Sequence, residues 1–494
     1  MNFKLSIIVS SFFICFAYGQ TGTPGDYLTS QFHKERRTAL RIQMPSNSVA
    51  VFFANAVRNR ANDVDYVYHQ DPDFFYLTGY KEPNSVLVIF SNKQTNKEGK
   101  TYDEILYVQE KNVRAEQWTG RRLGTEGAMN DLGFATAFNG VDFLNSGIKY
   151  AEFSSVLFKE FKDDYRDSKR DDADLYKLVE AFKNQVGYNS KAESKIDANL
   201  QNEFRNKKSI TPKKVSIDTQ SIQSYMAGLR EIKSKEELVL LTKVVRISAM
   251  GQREIMKAMH AGMSENEIQG IHEFVYKKYG CEFEGYPSIV GAGNNGCVLH
   301  YIENSKMKVE NDLVLMDLGA EYHGYTADVT RTIPANGKFS AEQKLIYDLV
   351  YQAQEAGIAT VKEGNDFNAP DIAARKVITA GLMKLGIITK EEQSRVYFPH
   401  GTSHHIGLDV HDPGLYTTFD IDMVLTVEPG IYIPKGSDCD KKWWGIAVRI
   451  EDDILVTANE PINLSAEAPR KSEEIEALMK EKSVLDGFTL PSLD

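Results

Sequence analysis

The chain has 494 residues, too many for one ordinary core, so at least two domains are expected. Its hydrophobic share of 42% and charged share of 26% exclude a disordered or fibrous chain and fit a globular one. A formal net charge of -11 argues against nucleic acid as a partner.

The opening, MNFKLSIIVSSFFICFAYGQ, reads as a signal peptide. Lys4 supplies the basic start, residues 5–16 the apolar run, and Ala17-Tyr18-Gly19 the small residues before a cut at Gln20. The run is shorter than the roughly 20 residues of a bilayer span. Residues 1–19 are therefore expected to be removed, and the protein to be exported to a periplasm or the medium with no stable membrane insertion. Cleavage leaves Cys281, Cys297 and Cys439, which allow at most one disulfide.

Residues 20–215 form the expected first domain. Residues 49–53, 86–90 and 105–109 read as strands. The stretch 150–210 is rich in Lys, Asp, Glu and Asn, with helical spacing and little apolar weight. It reads as a solvated helical edge and linker. Ser234 and Glu237 then make a capping box that opens a helix running to about Met259. Further helices are expected at 265–279, 341–361, 369–385 and 472–482, with short strands between Gly and Pro turns from 285 onward. The second domain is placed at 216–465, and a helix and tail at 466–494.

Four segments carry the chemistry. In DLVLMDLGAEYHGYTADVTRTIP (312–334) two β-rich runs flank a turn-like stretch, which reads as a hairpin. With its tip between Tyr322 and His323, Asp317 would lie directly opposite Asp328, with Cβ atoms roughly 5 Å apart. Two carboxylates buried that way need a cation or a shared proton. PHGTSHHIGLDVHDPG (399–414) gathers four histidines, a pattern suited to metal binding or proton transfer. In MVLTVEPGIYIP (423–434), Glu428 ends an apolar strand, where a carboxylate is costly without a partner. In GIAVRIEDDILVT (445–457), Arg449 and Glu451 share the strand face opposite Val448 and Ile450. Taken alone, Glu451 is equally a ligand or a partner of Arg449.

Asp317, Asp328, His404, Glu428 and Glu451 together offer four carboxylates and one imidazole, which balance two divalent cations. Such an oxygen-rich set suits Mn²⁺, and Zn²⁺, Co²⁺ and Fe²⁺ are also compatible. Two cations sharing carboxylates can share a water and acidify it, which makes a hydroxide nucleophile without Ser or Cys.

With VGAGNNGCVLHY (290–301), HGTSHHIGLDVHD (400–412), VEPGIY (427–432) and VRIEDD (448–453), the second domain resembles the pita-bread metallopeptidases. RNRANDVDYVYHQDPDFFYLTGYKEP (58–83) and EQWTGRRLG (116–124) resemble the first domain of their aminopeptidase P group. The resemblance implies an α+β chain: an N-terminal α/β domain with a mixed sheet, then a pita-bread catalytic domain. It implies that Asp317 chelates one metal, Asp328 and Glu451 bridge both, and His404 and Glu428 hold the second. Glu428 would also take the water's proton. His300 and His411 would stabilise the tetrahedral oxyanion. His400, Tyr432 and Arg449 would line the substrate pocket. The implied substrate is a peptide with proline second, from which the first residue is released. A prolidase acting on Xaa-Pro dipeptides and a metal-free relative are the alternatives. Assembly into dimers or tetramers is a further implication.

Overall fold

The structure, a computed structural model, describes residues 25–168, 171–188, 215–488 and 490. The signal-peptide reading of 1–19 and the 189–210 part of the polar stretch lie outside the described residues.

The first domain is built on a mixed six-stranded sheet. Its strands are β1 (Ser48–Phe53), β2 (Val86–Thr95), β3 (Thr101–Val108), β4 (Ala137–Asn139), β5 (Ser155–Leu157) and β6 (Ile217–Asp218), in the order β4-β3-β2-β1-β5-β6. The β1–β2 and β2–β3 pairs are antiparallel, and the other three are parallel. Val49 to Phe52 and Val86 to Phe90 are buried without alternation, because helices and loops cover both faces of the central strands. Helix α1 (Ser30–Gln43) is capped by Thr29, and α2 (Pro72–Thr78) by Asp71 with proline in its first turn.

The stretch 150–210 differs from expectation. Residues 155–157 are a sheet strand parallel to β1, and α3 (Leu175–Val186) buries Leu178, Val179, Phe182 and Val186. These lie on one stripe at helical spacing, hidden in the sequence by the surrounding charges.

The second domain opens with α4 (Ser221–Glu231), α5 (Lys235–Ala258) and α6 (Glu265–Lys278); the Ser234–Glu237 capping box is present at the start of α5. Strands β7 (Ile289–Ala292), β8 (Leu313–Leu318), β9 (Ala320–Tyr322), β10 (Tyr325–Thr326) and β11 (Val329–Pro334) follow. After α7 (Ala341–Ile358) and α8 (Ala369–Lys384) come β12 (Val424–Val427), β13 (Gly430–Ile433), β14 (Ile446–Arg449) and β15 (Asp452–Leu455).

The hairpin register also differs. Tyr322 pairs with Tyr325, so the tip is His323-Gly324, and Asp317 faces Thr330 rather than Asp328. Both tip residues have positive φ (53° and 89°), the geometry of a tight two-residue hairpin turn. Glycine meets that demand easily and histidine does not. His323 is held by stacking on Tyr27 and Tyr322, with ring centroids 3.6 and 3.8 Å away. The apolar pattern could not show this, because shifting the tip by one residue leaves both runs apolar.

At that tip the domains meet: a Cβ on Gly324 would stand 3.1 Å from Phe75 of the first domain and 3.2 Å from Leu408. The Tyr76 hydroxyl donates to the Leu229 carbonyl at 2.8 Å across the same boundary. Cys281, Cys297 and Cys439 are all free. Among the described residues no helix is long and apolar enough to cross a membrane.

Candidate metal centre

Strand pairing gathers the acidic residues. Asp317, on β8, faces Thr330. On the far side of Thr330, the Glu451 amide donates to the Thr330 carbonyl at 3.2 Å. The pairs Val427–Asp452 and Gly430–Arg449 then set Glu428 opposite Glu451. Beyond β12, the Glu428 amide donates to the Thr402 carbonyl and the Thr426 amide to the His404 carbonyl, both at 2.9 Å. The histidine loop thus runs beside β12 as an irregular strand. Residues directly paired, or two apart, share a face. Asp317, Glu451 and Glu428 therefore form one row across the strands, and Asp328 and His404 a second row two residues along.

One ligand atom each from Asp328, His404 and Glu451 lies within 4.8 Å of the others. His404 Nε2 is 3.5 Å from both Asp328 and Glu428. Its Nδ1 lies 3.0 Å from the His405 carbonyl, which orients an Nδ1–H there and turns Nε2 toward the carboxylates. The Tyr286 hydroxyl is 2.6 Å from Asp317 and 2.6 Å from Asp328, and the Thr330 hydroxyl donates to Glu451 at 2.6 Å.

Arg449 closes one side. It donates to Asp317 and, at 2.9 Å, to the Tyr432 hydroxyl, which lies 2.8 Å from His400 Nε2. His300 and His411 are exposed. The His404 and His411 rings meet edge to face, with centroids 4.4 Å apart.

The electrostatics are those of a cation site. Burial, then the charge of Asp317, pushes Asp328 up. Burial also pushes Glu428 up to about 7 and Glu451 well above the usual carboxylate range. For His404, burial alone would lower the value; the hydrogen bond to Asp328 and the charge of Glu428 carry it up to about 9. Burial and Arg449 hold His400 down at about 4, so it is neutral at ordinary pH. Asp453, next in the second row, is also pushed well up by burial and by Asp328, and one of its oxygens has no hydrogen-bond partner. Four carboxylates against one guanidinium and one imidazolium must hold protons or bind cations. The residues present fit divalent cations: hard oxygen donors, one imidazole whose Nε2 proton a cation would replace, and excess negative charge in a buried space.

Sequence reasoning missed Tyr286, Thr330 and Asp453. Thr330 and Asp453 stand two residues from Asp328 and Glu451, so strand alternation would have found them. Tyr286 lies outside the acidic segments, and only the folded chain brings it in.

The fold and the site define a metal-dependent peptidase of the pita-bread type. The chain belongs to the metallopeptidase family M24, in its aminopeptidase P group: residues 239–458 match the profile "Metallopeptidase family M24" and residues 33–152 "Aminopeptidase P, N-terminal domain". It is 33% identical to the Xaa-Pro aminopeptidase of Escherichia coli (strain K12), over 92% of this chain and 98% of that one. The Haemophilus influenzae Xaa-Pro aminopeptidase matches equally, at 33% with the same coverage. Among solved structures, Pseudomonas aeruginosa aminopeptidase PepP superposes with a TM-score of 0.79 at 31% identity. Aminopeptidase P from E. coli with the inhibitor Pro-Leu gives 0.78 at 32%. Each covers 92% of this chain and 98% of its own.

Proposed function

We propose that the enzyme releases the first residue from peptides with proline in the second position, using two divalent cations, with Mn²⁺ as the working metal. The observation that carries this is the wall beside the carboxylates, where Arg449, Tyr432 and His400 are joined at 2.9 and 2.8 Å. A bond before proline has no N–H, so it offers only a carbonyl and a ring to grip. The Gly401 carbonyl, 2.7 Å from His400 Nδ1, takes that imidazole's N–H, so Tyr432 gives its one proton to His400 Nε2 and Arg449 is the donor that suits the substrate carbonyl. The Xaa-Pro aminopeptidases among the relatives support the same substrate class.

Asp317, Asp328, His404, Glu428 and Glu451 would hold the cations, which supply an acidified water and a polarised carbonyl when bound. Glu428 sits where burial favours its protonated form, so it is suited to take a proton and return it to the proline nitrogen. Partial desolvation and the positive charge around it lower the pKa of His411, so a neutral imidazole N–H is available to the developing oxyanion. The apolar leader at 1–19 supports export, and the resemblance supports a homodimer or tetramer.

The test compares an Xaa-Pro-Yaa tripeptide, its Xaa-Ala-Yaa counterpart and the Xaa-Pro dipeptide in Mn²⁺. The reading expects fast release of the first residue from the proline tripeptide only. Turnover of the dipeptide alone would make the enzyme a prolidase, and equal rates on the alanine peptide would remove the proline preference.

A further inference from the structure

The two domains are joined by a buried ionic cluster that ends beside the histidine loop. Asp73 on α2, Arg230 at the end of α4, Lys233 and Asp412 are each no more than 3% exposed. Arg230 donates one arm to Asp73 at 2.6 Å and the other to Asp412. Lys233 donates to Asp412 at 2.8 Å, and Lys159 of the first domain pairs with Asp73. Taking several charges out of water costs several kcal/mol per ion, so such a cluster is weak evidence for stability alone.

Its geometry points elsewhere. Asp412 directly follows His411. Its amide donates to the His405 carbonyl at 3.0 Å, and its carboxylate accepts the Asp409 amide at 3.2 Å. A Cβ on Gly407 would stand 2.6 Å from that carboxylate. The loop 405–412 is therefore wrapped around the Asp412 side chain, with His404 before one end and His411 at the other. A planar guanidinium bonds carboxylates on two domains at once in directions fixed by its fork, which a freely rotating ammonium does not fix.

We propose that Arg230 is a positioning residue: through Asp412 it fixes His411, and through Asp73 it makes that position depend on the docked first domain. The first domain then acts on turnover without touching the reacting atoms. This rests on the reading of His411 as a catalytic group.

The experiment uses the full-length Mn²⁺-loaded enzyme on an Xaa-Pro-Yaa peptide. Asp73→Asn keeps shape and removes the charge that holds one arm of Arg230. Arg230→Lys keeps charge and loses the fork. Tyr76→Phe, which removes a neutral hydrogen bond across the same boundary, is the structural control. Each of the first two variants is expected to lower kcat at least about 10-fold per metal-loaded, folded site, since a misplacement of about 1 Å can cost about 100-fold. KM and Mn²⁺ uptake should be unchanged, and the His411 ring resonance should shift in the same variants loaded with diamagnetic Zn²⁺. Tyr76→Phe should lower only the melting temperature.

Wild-type kcat in folded, loaded Asp73→Asn, or a loss no larger than that of Tyr76→Phe, would overturn the proposal. If Asp73→Asn does not fold, Arg230→Lys decides by the same readings. His411→Ala separates the two layers. Full activity there would remove the role of His411 and the proposal with it. An inactive His411→Ala beside a normal Asp73→Asn would sink the positioning role alone.

Discussion

Asp317 and Asp328 are held together by one hydroxyl group, that of Tyr286, which lies 2.6 Å from a carboxylate oxygen of each. A hydroxyl has one proton to donate. The second short contact therefore needs a proton on a carboxylate, in keeping with the raised pKa of Asp328. Bound cations would displace that proton and leave Tyr286 donating to one ligand. Tyr286→Phe is expected to cost the metal-free protein about 1.5–3 kcal/mol, the usual worth of a hydrogen bond to a charged group. Mn²⁺ affinity should fall about 10-fold, as for other groups that orient metal ligands. Urea unfolding with chelator and Mn²⁺ titration check the two effects separately.

Metal loading should depend on pH with a definite sign. His404 is carried up to about 9 and Glu428 to about 7, from ordinary values of 6.5 and 4.5. Both groups hold their protons more tightly folded than unfolded. The stability linked to His404 is complete below about 6.5 and is lost as pH rises through about 9. That linked to Glu428 is lost as pH rises from about 4.5 through about 7. Cations compete with the same protons, so affinity strengthens over that range. The gap in melting temperature between Mn²⁺-loaded and chelated protein should widen from about pH 5 to about pH 9. A gap that narrows with rising pH would be the wrong sign.

Gly319 allows the hairpin strands to close behind the two aspartates. A Cβ there would overlap the Ala327 carbonyl and stand 2.6 Å from the Tyr286 ring. Gly319→Ala is expected to destabilise the protein by about 3 kcal/mol, at the upper end of ordinary overpacking. Any folded fraction should bind Mn²⁺ more weakly. Chemical denaturation and metal titration would show both losses.

Tyr432→Phe removes the hydroxyl that joins His400 and Arg449. A lost hydrogen bond at a polar wall corresponds to a rise in KM of about 10-fold for proline tripeptides. Mn²⁺ stoichiometry should stay at the wild-type value.

The sequence exposed the acidic residues because each interrupts an apolar strand; Glu428 after Val424 to Val427 is the plainest case. The Ser234–Glu237 capping box and the strands at 49–53, 86–90 and 105–109 were legible for local reasons, a fixed four-residue signature and continuous apolar runs; the mixed sheet came only from the family resemblance. The hairpin register was not, because it depends on His323 accepting a positive φ between two tyrosine rings. The amphipathic stripe of α3 was masked by its lysines and acids. The row Asp317, Thr330, Glu451, Glu428 runs across four strands far apart in the chain. No spacing within one segment records that β12 pairs with β15.

The central claim is that these five residues hold the cations that drive cleavage before proline. The most direct measurement is Mn²⁺-dependent hydrolysis of an Xaa-Pro-Yaa peptide by the wild type and by Asp328→Ala. The account predicts wild-type turnover that chelator abolishes. It predicts a loss of at least about 100-fold in the variant, since even groups behind the ligands are worth 10- to 100-fold. Undiminished turnover by folded Asp328→Ala would contradict it.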